Sequence, residues 1–206
     1  MRRWYRLAQP ALLVMGALVL TLAAAALPAL ADGTVGGIAP PFSLKGLDGN
    51  THSLKDYAGK VVVLEWLNPD CPFSNRHAEE KTMTTLAAKY GEVVWLGIDS
   101  SSPNSHDYMK PAEMRAWTEK NGIHYAVLYD ESGSVGHAYG AKTTPHMYVI
   151  GKDGKIAYNG AIDDDPSGRR PQAQRVNYVD GGLTAERAGK SPDPATTKPY
   201  GCGVKY

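Results

Sequence analysis

The hydrophobic pattern alternates between short apolar runs and amphipathic stretches. Val61 to Leu67 is a continuous apolar run broken only by Glu65, the pattern of a central strand covered on both faces. Val93 to Ile98 predicts a second buried strand and Tyr125 to Tyr129 a third. Phe42 to Leu47 and Thr51 to Leu54 predict two short strands around Asp48-Gly49-Asn50, an N-terminal hairpin. Met147 to Ile150 and Ile156 to Tyr158 predict another hairpin across Asp153-Gly154. From Pro72 to Tyr90, the spacing of Met83, Leu86, Ala87 and Tyr90 predicts one helix, with Gly91 as its stop. Ala112 to Lys120 predicts a helix ended by Asn121-Gly122, Val135 to Tyr139 a short one, and Gln174 to Lys190 a weaker one containing Gly181 and Gly182. Ser191 to Tyr206 holds three prolines and reads as an extended tail. Strands alternating with helices, then a hairpin, indicate an α/β domain with a mixed central sheet flanked by helices.

The first 31 residues stand apart from this pattern. Arg2, Arg3 and Arg6 precede an apolar run from Ala11 to Ala26, and Ala29-Leu30-Ala31 offers a small-x-small cleavage site before Asp32. That is the layout of a secretory signal peptide over residues 1–31. An uncleaved anchor is the alternative, because the apolar run approaches the ~20 residues a span needs. The expected organisation is a leader (1–31), one domain (32–190) and a tail (191–206), with export to the periplasm or beyond and no stable membrane association after cleavage. Loss of the leader's three arginines takes the formal charge from +1 to −2. No basic run or aromatic-interleaved basic patch remains, so nucleic acid and anionic membrane surfaces are poor partners.

Only two cysteines occur, Cys71 and Cys202, and both lie beyond the leader. No Cys-x-x-Cys pair exists, which excludes a four-cysteine zinc site. Cys71 follows a buried strand and Asn68-Pro69-Asp70, with Pro72 opening the next helix. A helix N-terminus carries unpaired N–H groups and about half a positive charge, and both favour S⁻ over SH. Such positions lower a cysteine pKa from about 8.5 to roughly 3.5–7.5. A buried, inert side chain is the competing reading of this position.

Taken together, the lead Gly37-Ile38-Ala39-Pro40-Pro41-Phe42, the motif Asn68-Pro69-Asp70-Cys71-Pro72-Phe73, the segment Lys142-Thr143-Thr144-Pro145-His146-Met147 and the ending Pro199-Tyr200-Gly201-Cys202 resemble the thioredoxin-like superfamily. More narrowly they resemble exported peroxiredoxin-like redoxins of the thiol-specific antioxidant and thioredoxin domain family. The resemblance implies a thioredoxin-like fold and a thiol redox protein without organic cofactor, in which Cys71 is the attacking cysteine. It implies that Pro145, after Thr144, is the cis-proline facing that cysteine, and that Glu65 is the buried acid that handles protons for a second thiol. A carboxyl inside an apolar strand suits this work because burial raises its pKa. Ser74 stands where thioredoxin has its second cysteine; it can hydrogen-bond the sulfur but cannot resolve a mixed disulfide. Leu64 and Asn68 stand where peroxiredoxins carry Pro and Thr or Ser.

The remaining thiol is Cys202. The 12 residues between Lys190 and Cys202 span up to roughly 40 Å, against a radius of gyration near 15 Å for a domain of this size. A Cys71–Cys202 bond is therefore within reach, and Gly201 and Gly203 permit close approach. The expected function is an exported thiol oxidoreductase: Cys71 attacks a protein disulfide or a small hydroperoxide, Cys202 resolves, and an external thiol reductant restores both. Two alternatives stay open. One is a copper-binding protein using Cys71 and His146; the other is a non-catalytic domain held by a structural Cys71–Cys202 disulfide, worth about 5 kcal/mol in the chain-entropy model. His77, about 240° round a regular helix from Cys71, is a poor metal partner, and His52, His106, His124 and His137 show no ligand spacing.

Overall fold

The computed structural model describes Met1 and residues 33–206. The expected signal peptide lies outside the described residues. Among the described residues no helix is long and apolar enough to cross a membrane.

The strands are β1 (Ser43–Gly46), β2 (Thr51–Ser53), β3 (Val62–Trp66), β4 (Val94–Asp99), β5 (Ala126–Tyr129), β6 (Thr143–Thr144), β7 (His146–Ile150), β8 (Ile156–Gly160) and β9 (Cys202–Gly203). The α-helices are α1 (Pro72–Glu79), α2 (Thr82–Lys89), α3 (Pro111–Asn121), α4 (Ser134–Tyr139) and α5 (Tyr178–Arg187). Seven strands form one mixed sheet in the order β2-β1-β5-β4-β3-β7-β8, with β3, β4 and β5 parallel and the rest antiparallel. β6 and β9 form a separate two-stranded ribbon. This is the expected α/β architecture with its N-terminal hairpin.

β3 shows why its sequence is apolar throughout. Val62, Leu64 and Trp66 pack on one face with Tyr139 of α4 and with Ala39 and Phe42 of the N-terminal lead. Val61 and Val63 pack on the other with Met83 and Leu86 of α2 and Val179 and Leu183 of α5, while Leu67 meets Met114 of α3. Both faces are covered, so alternation disappears from the sequence.

The single helix expected over Pro72 to Tyr90 is two. Lys81 sits at φ 55°, a left-handed conformation that ends α1 and caps α2. No glycine marks the break, because distant contacts impose it. Glu80 is held by Arg175 at 2.6 Å, and Thr82 lies 3.2 Å from His77 Nδ1 and accepts from Gln172 at 3.1 Å. The last helix likewise begins later than expected. The Val176 amide donates to Asp164 and the Tyr178 amide to the Ile162 carbonyl, pulling that segment into extended pairing before the Asn177 side chain caps α5. Gly182 in α5 has a reason of its own: a Cβ there would lie 3.4 Å from Tyr158, so the helix packs closely on β8. The tail is not simply extended. It runs beside β8, where the Asn159 amide bonds to the Ala195 carbonyl and Thr197 back to Asn159, then turns to form β9.

Candidate active site

Cys71 is the N-cap residue of α1, with Pro72 at the first helical position. Asn68 shapes the loop before it. Its Oδ1 accepts from the Asp70 amide at 2.7 Å, and its Nδ2 donates to Ser101 Oγ at 2.8 Å and to the Asp107 carbonyl at 3.0 Å. Cys71 is 3% exposed, and its Sγ donates to the Thr144 carbonyl at 2.8 Å. Thr144–Pro145 is a cis peptide bond.

The second thiol arrives by strand pairing. β9 lies antiparallel on β6 with Cys202 opposite Thr144, and both cysteines are free thiols. The pairing brings Cys202 beside Cys71, and each thiol shifts the other's titration. Gly201 makes the approach possible: at its φ of 140°, a Cβ would stand 2.1 Å from the Thr144 carbonyl oxygen. Aromatic anchors hold the tail on either side. Tyr200 OH donates to Asp163 Oδ1, lies 2.9 Å from His77 Nε2 and accepts from Arg76 at 3.3 Å. Tyr206 OH donates to the Ala141 carbonyl at 2.7 Å, and its ring stacks on His137 with centroids 3.9 Å apart.

The two thiols are electrostatically unequal. Burial alone raises the Cys71 pKa, but hydrogen bonding by the Thr144 side chain, the Cys202 side chain and the Ser74 and Cys202 amides outweighs it. Cys71 is left below its ordinary value. Cys202 is pushed up to about 11 by burial and by its hydrogen bond and charge contact with Cys71, against a smaller opposing pull from Lys205. Beside them opens a cleft of about 210 Å³ lined by Asn68, Cys71, Asp99, Thr144, Cys202 and Lys205.

Cys71, Thr144, Pro145 and Cys202 thus come together, whereas Ser74, Glu65 and His146 differ from expectation. The Ser74 hydroxyl does not serve the sulfur: it accepts from the Asn68 amide at 3.4 Å, and the Ser74 backbone N–H supports Cys71 instead. His146 does not face Cys71. Its Nε2 is 2.7 Å from Asn159 Oδ1 and its Nδ1 accepts from the Lys142 amide at 3.2 Å, so no ring lone pair is left for a metal shared with Cys71. Among the described residues no cluster of three or more His, Cys, Asp or Glu could hold a metal ion.

Glu65 lies away from the cleft. β3 turns it to the face shared with Val63, where it borders a small cavity with His77, Trp117 and Tyr125. Burial raises its pKa to about 7 despite a hydrogen bond from Tyr125 OH at 2.8 Å. The folded protein therefore holds a proton that the unfolded chain, with an ordinary value of 4.5, releases. This contribution to stability is most favourable below about pH 4.5 and is lost as pH rises through 7. Glu65→Gln keeps an acceptor for Tyr125 and removes the titration. We expect the variant to match wild type at pH 4.5 and to exceed it by about 2–3 kcal/mol at pH 8. Denaturant unfolding of both proteins at the two pH values checks this.

Sequence reasoning passed over a buried ionic network behind the tail. The Arg175 guanidinium meets Glu80 at 2.6 Å, Asp165 at 3.3 Å and Asp163 at 3.6 Å, and Asp163 in turn holds Tyr200. Asp99 at the end of β4 was also hidden in a polar, turn-rich stretch. Its position at the carboxyl edge of a parallel strand is the signal that marks such sites.

Residues 35–159 match the AhpC/TSA family. The thiol-disulfide oxidoreductase ResA of Geobacillus thermodenitrificans is 28% identical over 123 residues, 59% of this chain and 66% of that protein. Peroxiredoxin Q of Gentiana triflora is 27% identical over 148 residues, 63% of this chain and 61% of that protein. The chain thus spans just under two thirds of the length of each of these relatives. The crystal structure of an uncharacterized conserved protein from Geobacillus kaustophilus superposes with a TM-score of 0.75 at 29% identity, covering 84% of this chain and 92% of the other. With a match over more than half its residues, the chain belongs to the AhpC/TSA family and has its thioredoxin-like fold.

Proposed function

We propose that the protein is an exported thiol-disulfide oxidoreductase in which Cys71 attacks and Cys202 resolves. The observation that carries this reading is the pair itself: two free thiols on one cleft, Cys202 held opposite Thr144 by strand pairing, with the Cys71 thiol below its ordinary pKa and the Cys202 thiol above it. At neutral pH the proton is retained by Cys202 and Cys71 is the nucleophile. Cys71 S⁻ attacks a substrate disulfide, forming Cys71–S–S–R and releasing the other half as a thiolate. Cys202 then loses its proton and attacks Cys71 Sγ, so that the Cys71–Cys202 bond forms and RS⁻ leaves. Two electrons have passed to the substrate, and an external dithiol returns them. Leu64 and Asn68, in place of the Pro and Thr or Ser of peroxiredoxins, favour a disulfide over a hydroperoxide as substrate. The names of the relatives match sulfur chemistry of this kind, and the leader expected over residues 1–31 supports export.

The reduction potential of the purified protein tests the reading, together with assays of insulin reduction and hydrogen peroxide consumption driven by dithiothreitol. We expect a potential between about −120 and −270 mV, because a stabilised thiolate favours the reduced state, and insulin reduction faster than peroxide consumption. A potential below about −300 mV with no insulin reduction would mean a structural bond. Peroxide consumption without insulin reduction would move the substrate to hydroperoxides.

A further inference from the structure

Resolution poses a chemical difficulty. A thiol with a pKa of about 11 is ionised at pH 7 to only about one part in 10⁴. Part of that elevation comes from the Cys71 charge and disappears once Cys71 is in a mixed disulfide, but burial is the larger cause and persists. Attack by Cys202 at a useful rate therefore calls for a base within the cleft.

Asp99 is the residue built for this. It ends β4 and lines the cleft that Cys71 and Cys202 share. It is 1% exposed; its Oδ1 accepts from the Ser101 amide at 2.9 Å, and its buried Oδ2 has no hydrogen-bond partner. Burial, with the charges of Asp130 and Asp70 adding to it, raises its pKa to about 6, and its own charge in turn raises the phenols of Tyr108 and Tyr129. No cation offsets this. Lys205 and His106 at the cleft both pair with Asp107, at 3.7 and 2.7 Å. The other carboxylates are placed differently: Asp70 also lines the cleft but is exposed to solvent. Asp107 holds those two cations, Asp130 accepts from Ser100 and the Gly136 amide, and Glu65 borders a separate cavity.

We propose that Asp99 is the proton-transfer residue for the resolving step. This rests on the redox reading above. The Asp99 carboxylate takes the proton of Cys202 as the Cys202–Cys71 S–S bond forms, and the carboxyl returns it to the RS⁻ that leaves Cys71. The cleft volume accommodates several waters at ~30 Å³ each, and the proton crosses through them. One carboxyl thus acts as base and then as acid within a single exchange, and no net proton is consumed in that step.

Asp99→Asn in the full chain tests this. Asparagine keeps Oδ1 for the Ser101 amide and mimics the protonated acid, so the fold is retained, as a thermal melt at pH 5 checks. With glutathione disulfide as probe and acid quenching, the Cys71–glutathione adduct is followed by mass. We expect the adduct to form within twofold of the wild-type rate and to decay roughly a hundredfold more slowly. The wild-type rise in decay rate with an apparent pKa near 6 should vanish in the variant and return in part with Asp99→Glu. Decay at the wild-type rate with an unchanged pH profile would overturn the assignment. A wild-type protein that forms no Cys71 adduct would overturn the redox reading itself, a result the adduct measurement keeps separate from the decay.

Discussion

Cys71→Ser should abolish turnover, whereas Cys202→Ser should let one equivalent of substrate react and then stop. The asymmetry follows from the two environments. The Thr144 side chain, the Ser74 and Cys202 amides and the Cys202 side chain act on Cys71, and this set of donors stabilises S⁻. A serine hydroxyl at position 71 stays protonated at any working pH, so the same donors have no anion to stabilise and no nucleophile forms. The expected loss is a thousandfold or more, which corresponds to about 4 kcal/mol of transition-state stabilisation. Cys202→Ser keeps the Thr144, Ser74 and Cys202 backbone donors, and the new serine hydroxyl can take the place of the fourth. The first attack should therefore proceed within a few fold of wild type, and the adduct on Cys71 should persist. Mass spectrometry of the quenched protein separates the outcomes: unmodified chain for the first variant, chain plus one substrate half for the second. Full multiple-turnover activity in Cys202→Ser would mean that the external reductant resolves Cys71 directly.

Gly201→Ala should cost nearly as much as loss of Cys202, although it touches neither sulfur. The new methyl would stand 2.1 Å from the Thr144 carbonyl oxygen, which is backbone and cannot swing aside, and the φ of 140° is closed to residues with a Cβ. The ribbon of β9 on β6 must open, and Cys202 then reaches Cys71 only as a tethered chain end. Its advantage falls from that of an oriented neighbour to an effective concentration of the order of millimolar. We expect resolution to slow by roughly a hundredfold while the first attack changes only several fold, through loss of the Cys202 donors. Gly203→Ala is the control, because a Cβ at Gly203 meets nothing within 4 Å. Equal behaviour of the two variants would show that the docked ribbon does not matter for the chemistry. Limited proteolysis of the tail reports the opening independently.

The parts of this molecule that were legible in its sequence are those governed by near neighbours. Val61 to Leu67 predicts a doubly covered strand because each of its apolar residues meets core on one face or the other. Cys71 ahead of Pro72 predicts a helix-capping thiol because both features are local. What was not legible depends on contacts between residues far apart in the chain. Lys81 breaks a helix on account of Arg175, which lies more than ninety residues away in the chain. Glu65 was recognisable as buried, but the pleat of β3 turns it away from the cleft, and spacing from Cys71 alone does not convey that. β9 has only two residues and no β-branched character, so nothing in its composition marks it as a strand; its partner, β6, supplies the reason.

The family match ends at residue 159, and Cys202 lies 43 residues beyond it, on a segment docked by Tyr200 and Tyr206. Cys71 and its cis-proline loop belong to the inherited domain, while the second sulfur belongs to an appendage. The two are joined by a few contacts rather than by a shared strand of the main sheet: Asn159 of β8 bridges to Thr196, Tyr200 holds Asp163, and Cys202 pairs with Thr144. Substitutions at these few contacts should therefore govern the approach of the second thiol while the core of the main sheet stays as it is.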